Sequence, residues 1–248
     1  MKLKSVICAL AVAAMAPLFA DQTSTNICGW MKVTSDLTNT IVGVPWVEVN
    51  GAADAAVKVA NLVKTDDLTK GDKLYFYQNG TWFAWTLGDE GWAADTTVTV
   101  SGVAVSAPAA DQAVARGQAL ILERQATTKP FYLYGQYSAA AVPAQKAVKG
   151  SAATPAYTLM ASPKVEAFDL NAGKITGAGA DDTIVVPLNG GASTIYRLKD
   201  GVWGSDVKTT TKMFGKDVTK LVFTPATALP AGTGFWYVSV GGEPTIAW

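Results

Sequence analysis

Residues Gly71–Gly135 and Asp181–Trp248 present one series of elements twice, in the same order. The first stretch reads GDKLYFYQNGTWFAWTLGDEGWAAD…ARGQALILERQATTKPFYLYG, the second DDTIVVPLNGGASTIYRLKDGVWGSD…PAGTGFWYVSVGGEPTIAW. Each runs through an apolar strand, an Asn-Gly turn, a strand ending in Leu, and a Gly-Trp or Gly-x-Trp. After a gap come a small-residue glycine turn, a long strand, a turn closed by Pro and a final strand. Short alternating runs divided by such turns commit a chain to antiparallel sheet. Two related β units are therefore expected, as two small barrels or one fused sandwich.

The pattern is sharpest in Leu74–Leu87. Asn79-Gly80 suits a type I′ turn, because both residues tolerate positive φ. With those two as the loop, Gln78 pairs with Thr81, Tyr77 with Trp82, Phe76 with Phe83 and Leu74 with Trp85. Side chains alternate between faces. Leu74, Phe76, Phe83, Trp85 and Leu87 then form a core face, and Tyr75, Tyr77 and Trp82 an outer one. Further strands are expected at Trp30–Val33, Thr40–Val49, Val98–Val105, Gln118–Arg124 and Phe131–Tyr134. In the second half they are expected at Lys164–Phe168, Thr183–Leu188, Thr194–Leu198, Thr219–Thr224, Gly234–Val240 and Thr245–Trp248. The Ala-rich stretch Ala52–Val63 fits a helix or a strand equally well.

Comparing the repeats separates scaffold from ornament. Leu74 aligns with Ile184, Phe76 with Val186, Trp85 with Tyr196, Leu87 with Leu198 and Trp92 with Trp203, and each pair keeps apolar character. Tyr75, Tyr77 and Trp82 align instead with Val185, Pro187 and Ser193. An aromatic outer face is thus expected on the first unit alone. Flat rings lose little entropy on binding, which suits a sugar ring or a protein surface. The competing expectation is that this face packs against the second unit.

The segment MKLKSVICALAVAAMAPLFA has a basic start, an apolar run and a small residue before Asp21, the pattern of a secretory signal peptide cleaved near Ala20. Cys8 lies inside that run and leaves with it. The apolar stretch is short for a membrane span. The expected destination is the periplasm, the cell surface or the extracellular space. About 228 residues then remain, enough for one large β domain or two small ones. The expected units are 21–137 and 156–248. Between them lies 138–155, a linker or long loop rich in small residues and carrying Pro143, Gly150 and Pro155. Trp248 is expected to fold into a core. Gly241-Gly242-Glu243-Pro244 interrupts the alternation that a membrane barrel strand would need.

Loss of Lys2 and Lys4 leaves 18 basic against 20 acidic residues, with no basic block to attract nucleic acid. The chain has no histidine. That excludes Ser-His-Asp and Cys-His mechanisms and histidine-ligated zinc. Cys28 is the one cysteine outside the leader. It reads either as a small buried side chain or as half of an intermolecular disulfide. No metal site and no cofactor are expected, since Asp66-Asp67 and Asp181-Asp182 read as solvated loop pairs. Glu48 and Glu166 follow Pro-led strands in both units. They are the best carboxylates for a glycosidase, which needs only two, although a repeated position argues for a shared structural role. Arg116 and Arg124 flank the long strand of the first unit, where a cross-strand pair with Glu123 or a surface neighbour explains them.

The elements GDKLYFY, Asn-Gly, Trp85 and Leu87, Gly-Trp, then ARGQALILERQ and PFYLYGQ resemble a group of exported proteins from verrucomicrobial-type bacteria. That group carries GDxL, GW and RGxxxWxxR-like elements, and Leu122 and Glu123 stand near where it shows an aromatic. The resemblance implies export and a β fold, and no activity is assigned to the group. A fainter likeness, in the GD-strand and Gly-Trp, is to bacterial SH3-like domains, whose pattern the long strand after Gly117 does not fit. The expected function is that of a non-enzymatic envelope or extracellular protein acting by surface contact, in a structural or assembly role. A carbohydrate-binding module using Tyr75, Tyr77 and Trp82 is the alternative, and a glycoside hydrolase the third reading.

Overall fold

The computed structural model describes residues 28–33, 39–52, 54–63, 68–78, 81–100, 102–108, 112–126, 130–187, 193–213 and 216–248. In the first half the strands are β1 (Cys28–Val33), β2 (Asn39–Gly43), β3 (Val57–Lys58), β4 (Lys73–Gln78), β5 (Thr81–Gly88), β6 (Gly91–Ala94), β7 (Thr99–Val100), β8 (Val103–Ala104), β9 (Ala113–Val114), β10 (Ala119–Glu123) and β11 (Phe131–Gln136), with a single helical turn, α1 (Val59–Leu62), after β3. The rest holds β12 (Gln145–Lys146), β13 (Ala156–Ala161), β14 (Ile175–Thr176), β15 (Thr183–Pro187), β16 (Ser193–Lys199), β17 (Val202–Met213), β18 (Lys216–Pro225), β19 (Gly234–Ser239) and β20 (Thr245–Ile246). The fold is all-β, and every paired strand runs antiparallel to its neighbours.

Two sheets organise the molecule, in the orders β2-β10-β4-β5-β6 and β13-β19-β15-β16-β17-β18. Apart from β18, the two orders of connection coincide. A three-strand meander (β4-β5-β6 or β15-β16-β17) is flanked on its first strand by a returning strand (β10 or β19), with an earlier strand (β2 or β13) outside that. One sheet buries Leu74, Phe76, Trp85, Leu120 and Leu122, closed over by Leu62 of α1 and by Phe131 and Leu133 of β11. The other buries Ile184, Trp203, Phe235 and Tyr237, with Leu170 and Ile246. Trp248 packs on this core, its ring 4.7 Å from that of Phe168.

The same device ties the start of each meander to the returning strand. Asp72 and Asp182 are both fully buried. Asp72 accepts the backbone N–H of Thr69 at 3.0 Å and of Gln125 at 2.7 Å. Asp182 accepts those of Gly179 at 2.9 Å and Val240 at 2.8 Å. A carboxylate removed from water is tolerable only when such donors surround it. Asp182 is therefore a buried turn clamp, not the solvated loop residue expected; the Asp66-Asp67 pair lies outside the described residues.

The two units touch along a thin seam of Ile41, Ala119 and Ala161, joined by Ile121, Leu159 and Trp236. Gly43 N–H donates to Gly232 O at 2.9 Å, and Val42 bridges Thr233. Glycine is required there. A Cβ on Gly43 would lie 2.6 Å from Ala161 Cβ, and one on Gly234 would lie 2.3 Å from Ile41 Cγ2.

The β4–β5 register has the expected pairs, Tyr77 with Trp82 and Leu74 with Trp85, although Asn79 and Gly80 fall outside the described residues. Other expectations need correction. Lys164–Phe168 bends instead of forming a strand, with Phe168 making one bridge to Leu229. Thr40–Val49 ends as a strand at Gly43, and Val98–Val105 folds back on itself as β7 and β8. Ala52–Val63 is part strand, part helical turn. Within 138–155, Gln145 and Lys146 pair with β20 and Gly150 N–H donates to Ser239 Oγ at 3.3 Å, while Ser138 and Ala140 accept from Arg116 of the first half. Cys28 is exposed on β1, contrary to the buried reading. Residues 1–20 lie outside the described set.

Candidate functional site

The expected aromatic face divides into three fates. Tyr75 is buried among Ala84 and Val105, with Val98, Val100 and Ile121 around them. Its hydroxyl donates to Glu123 Oε2 at 2.6 Å. Burial raises the phenol's pKa, reinforced by the bond to Glu123 and the charges of Glu123 and Asp95. Tyr75 is therefore a polar-capped core residue and offers nothing to a ligand. Tyr77 is 45% exposed. Trp82 is half-buried, and its ring lies 5.2 Å from Tyr77 and 6.4 Å from Trp236 of the other unit.

This last contact defines the site. Tyr77 and Trp82, cross-strand partners on β4 and β5, form one wall of a groove of about 500 Å³. The second unit supplies the rest from its outer sheet face: Tyr157 and Leu159 on β13, Trp236 and Val238 on β19, and Val185 on β15. Pairing sets that face. Tyr157 lies opposite Val238, and Leu159 and Val185 opposite Trp236. Phe235 and Tyr237 are fully buried in the core, so strand alternation turns Trp236 outward between them. Tyr157 is 65% exposed. Four aromatic rings from two sheets thus converge on one trough, and none of the described residues lining it is acidic.

The trough continues past Tyr77 and Leu159 into a second hollow of about 390 Å³ with a polar lining that includes Gln78, Gln118, Gln145, Lys146 and Thr158. Gln145 Nε2 donates to Gly117 O at 2.7 Å, and Gln118 Nε2 to Tyr77 O at 3.3 Å, so both amides are braced against backbone. Arg116 donates from its guanidinium to the carbonyls of Ser138 and Ala140, holding the segment after β11. Burial lowers its pKa, opposed by Tyr137 and Asp54.

The remaining sequence candidates do not assemble into a reactive centre. Glu48 accepts Lys58 N–H and Asn61 Nδ2–H, both at 2.9 Å, and so organises its own turn, whereas Glu166 is exposed in the bend after β13. Arg124 lies 4.0 Å from Asp72 and over the Phe131 ring, while Glu123 is engaged by Tyr75 rather than by an arginine. Among the described residues no cluster of three or more potential metal ligands occurs, and no helix is long and apolar enough to cross a membrane.

The groove's second wall was missed in the sequence because Tyr157 and Trp236 lie outside the aligned hairpins. A signal did exist, since alternation through Phe235-Trp236-Tyr237 puts one bulky ring on the face opposite two core rings. A further aromatic set occupies the outer face of the β1–β11 ribbon, where Trp30, 61% exposed, meets Tyr132 edge-on at 5.2 Å. Comparison with protein-family models, curated proteins and solved structures finds no match.

Proposed function

We infer that the chain is an exported, non-enzymatic protein that works by surface contact, and that its ligand is a polysaccharide strand lying in the groove between the two units. The observation that carries this reading is the convergence of Tyr77, Trp82, Tyr157 and Trp236 on one trough with no acidic residue among the described residues that line it. Aromatic faces stack on the C–H faces of sugar rings with little loss of side-chain entropy. The amide-lined hollow beside them offers hydrogen-bonding partners for hydroxyl groups. Together the two hollows fall within the size range of ligand sites. An envelope or extracellular address, expected from the leader, would bring the groove to its ligand. The matching orders of connection and the paired clamps Asp72 and Asp182 support reading the units as copies of one ancestral unit.

Affinity electrophoresis of the chain, lacking residues 1–20, through gels containing neutral polysaccharides (a β-glucan, a xylan, a mannan) tests the reading. Retardation is expected on at least one of them and should be lost in Trp82→Ala. Mobility unchanged on every gel, or retardation that persists in the variant, would overturn it.

A further inference from the structure

Among the described residues, β17 pairs from Ser205 outward with β18 alone, because the β16 partners of β17 end at Gly204. The pairs from Ser205–Thr224 to Met213–Lys216 make a two-stranded arm about 30 Å long at the usual rise of a strand. Both of its faces are open. Val207, Val218, Leu221 and Val222 are exposed, Leu221 to 64%. A bare two-stranded ribbon is at best marginal in water, and this one leaves its aliphatic side chains uncovered.

Charge indicates what covers it. Between Ser205 and Thr224 the arm holds Lys208, Lys212, Lys216 and Lys220 against Asp206 and Asp217, a net +2. The whole chain is formally neutral, so everything outside the arm carries −2, and −4 once Lys2 and Lys4 leave with the leader. At the arm's root Asp206 is already matched by Arg197 at 2.7 Å. Two arms brought edge to edge would repel each other, and edge lysines are a device that discourages such pairing. An anionic lipid surface would attract the arm and repel the remainder of the molecule. A second copy satisfies both signs, with the arm of one molecule against the acidic body of the next.

We propose that the β17–β18 arm is a self-assembly element that docks head to tail on the body of another copy of this chain. The contact is heterologous, so it closes into a ring or grows into a filament according to the rotation between neighbours. It is independent of the groove reading.

Sedimentation velocity of the chain without residues 1–20, in reductant so that Cys28 does not contribute, tests the proposal. Concentration-dependent oligomers are expected at about 0.01 M salt and should weaken by at least about tenfold at about 1 M, where the Debye length shrinks from about 30 Å to about 3 Å. Replacing the four arm lysines with Glu should give monomers with an unchanged melting temperature; the Gln set serves if the Glu set does not fold. Mixed substoichiometrically with wild type, the variant should shorten the oligomers, since it can accept an arm and not donate one. Monomers at all salt concentrations, assembly indifferent to salt or to the lysine changes, or growth of larger species on mixing would overturn the proposal. So would binding of the monomer to vesicles of phosphatidylglycerol and phosphatidylcholine without self-association.

Discussion

Asp72 and Asp182 show how single side chains hold a meander of this kind. Each reaches back three residues and across to the returning strand, so one carboxylate fixes a turn and a strand end together. Asp182 also accepts the Tyr237 hydroxyl at 3.0 Å, inside the second core. Asp182→Ala would strand three donors, one buried and two part-buried, and is expected to cost about 3 kcal/mol in urea unfolding. The exposed neighbour Asp181→Ala should stay within about 0.5 kcal/mol. Asp95 supplies a pH test. Bonds from Thr86 and Thr97, with Lys73 nearby, hold its carboxyl down from 3.8 to about 2. A depressed folded value means the contribution is complete above the unfolded value and fades as pH falls from 3.8 towards 2. Asp95→Ala should therefore lower the urea midpoint at neutral pH, and its difference from wild type should shrink near pH 2. A difference independent of pH would contradict that assignment.

At the scale of elements, legibility followed burial. The β4–β5 hairpin was readable because one face is core and the turn is Asn-Gly, which together leave a single register. The paired cores at Leu74 and Ile184, Phe76 and Val186 emerged from alignment for the same reason. β17 escaped because neither face of its outer half is buried, so Lys208-Thr209-Thr210-Thr211-Lys212 carries no apolar alternation to detect. Lys164–Phe168 misled in the opposite sense, since a Pro-led apolar pattern met no strand partner and became a bend. Tyr75 was assigned to the right face, but β7 and β8 fold over it, a cover that alternation within one hairpin does not encode. The seam between units gives the prediction for this scale. Gly234→Ala drives a methyl into Ile41 and should cost about 1–3 kcal/mol in chemical denaturation. Gly241→Ala, with nothing within 4 Å of its Cβ, should be close to neutral.

For the whole molecule, the proposed site lies where the two units meet rather than on either one. Tyr77 and Trp82 were in view from the sequence, whereas Tyr157 and Trp236 became neighbours of theirs only through tertiary packing across a thin apolar seam. The central claim is that this shared trough, and not merely any exposed aromatic surface, holds the ligand. It is tested most directly by comparing the dissociation constants of Trp236→Ala and Trp30→Ala for whichever polysaccharide retards the wild type. Trp236→Ala should weaken binding by about 2 kcal/mol, roughly thirtyfold, as truncation of a central anchor does. Trp30→Ala, on the β1–β11 ribbon and not among the groove's lining residues, should leave it unchanged. Loss of affinity in Trp30→Ala with Trp236→Ala unaffected would contradict the account and move the binding surface to that ribbon.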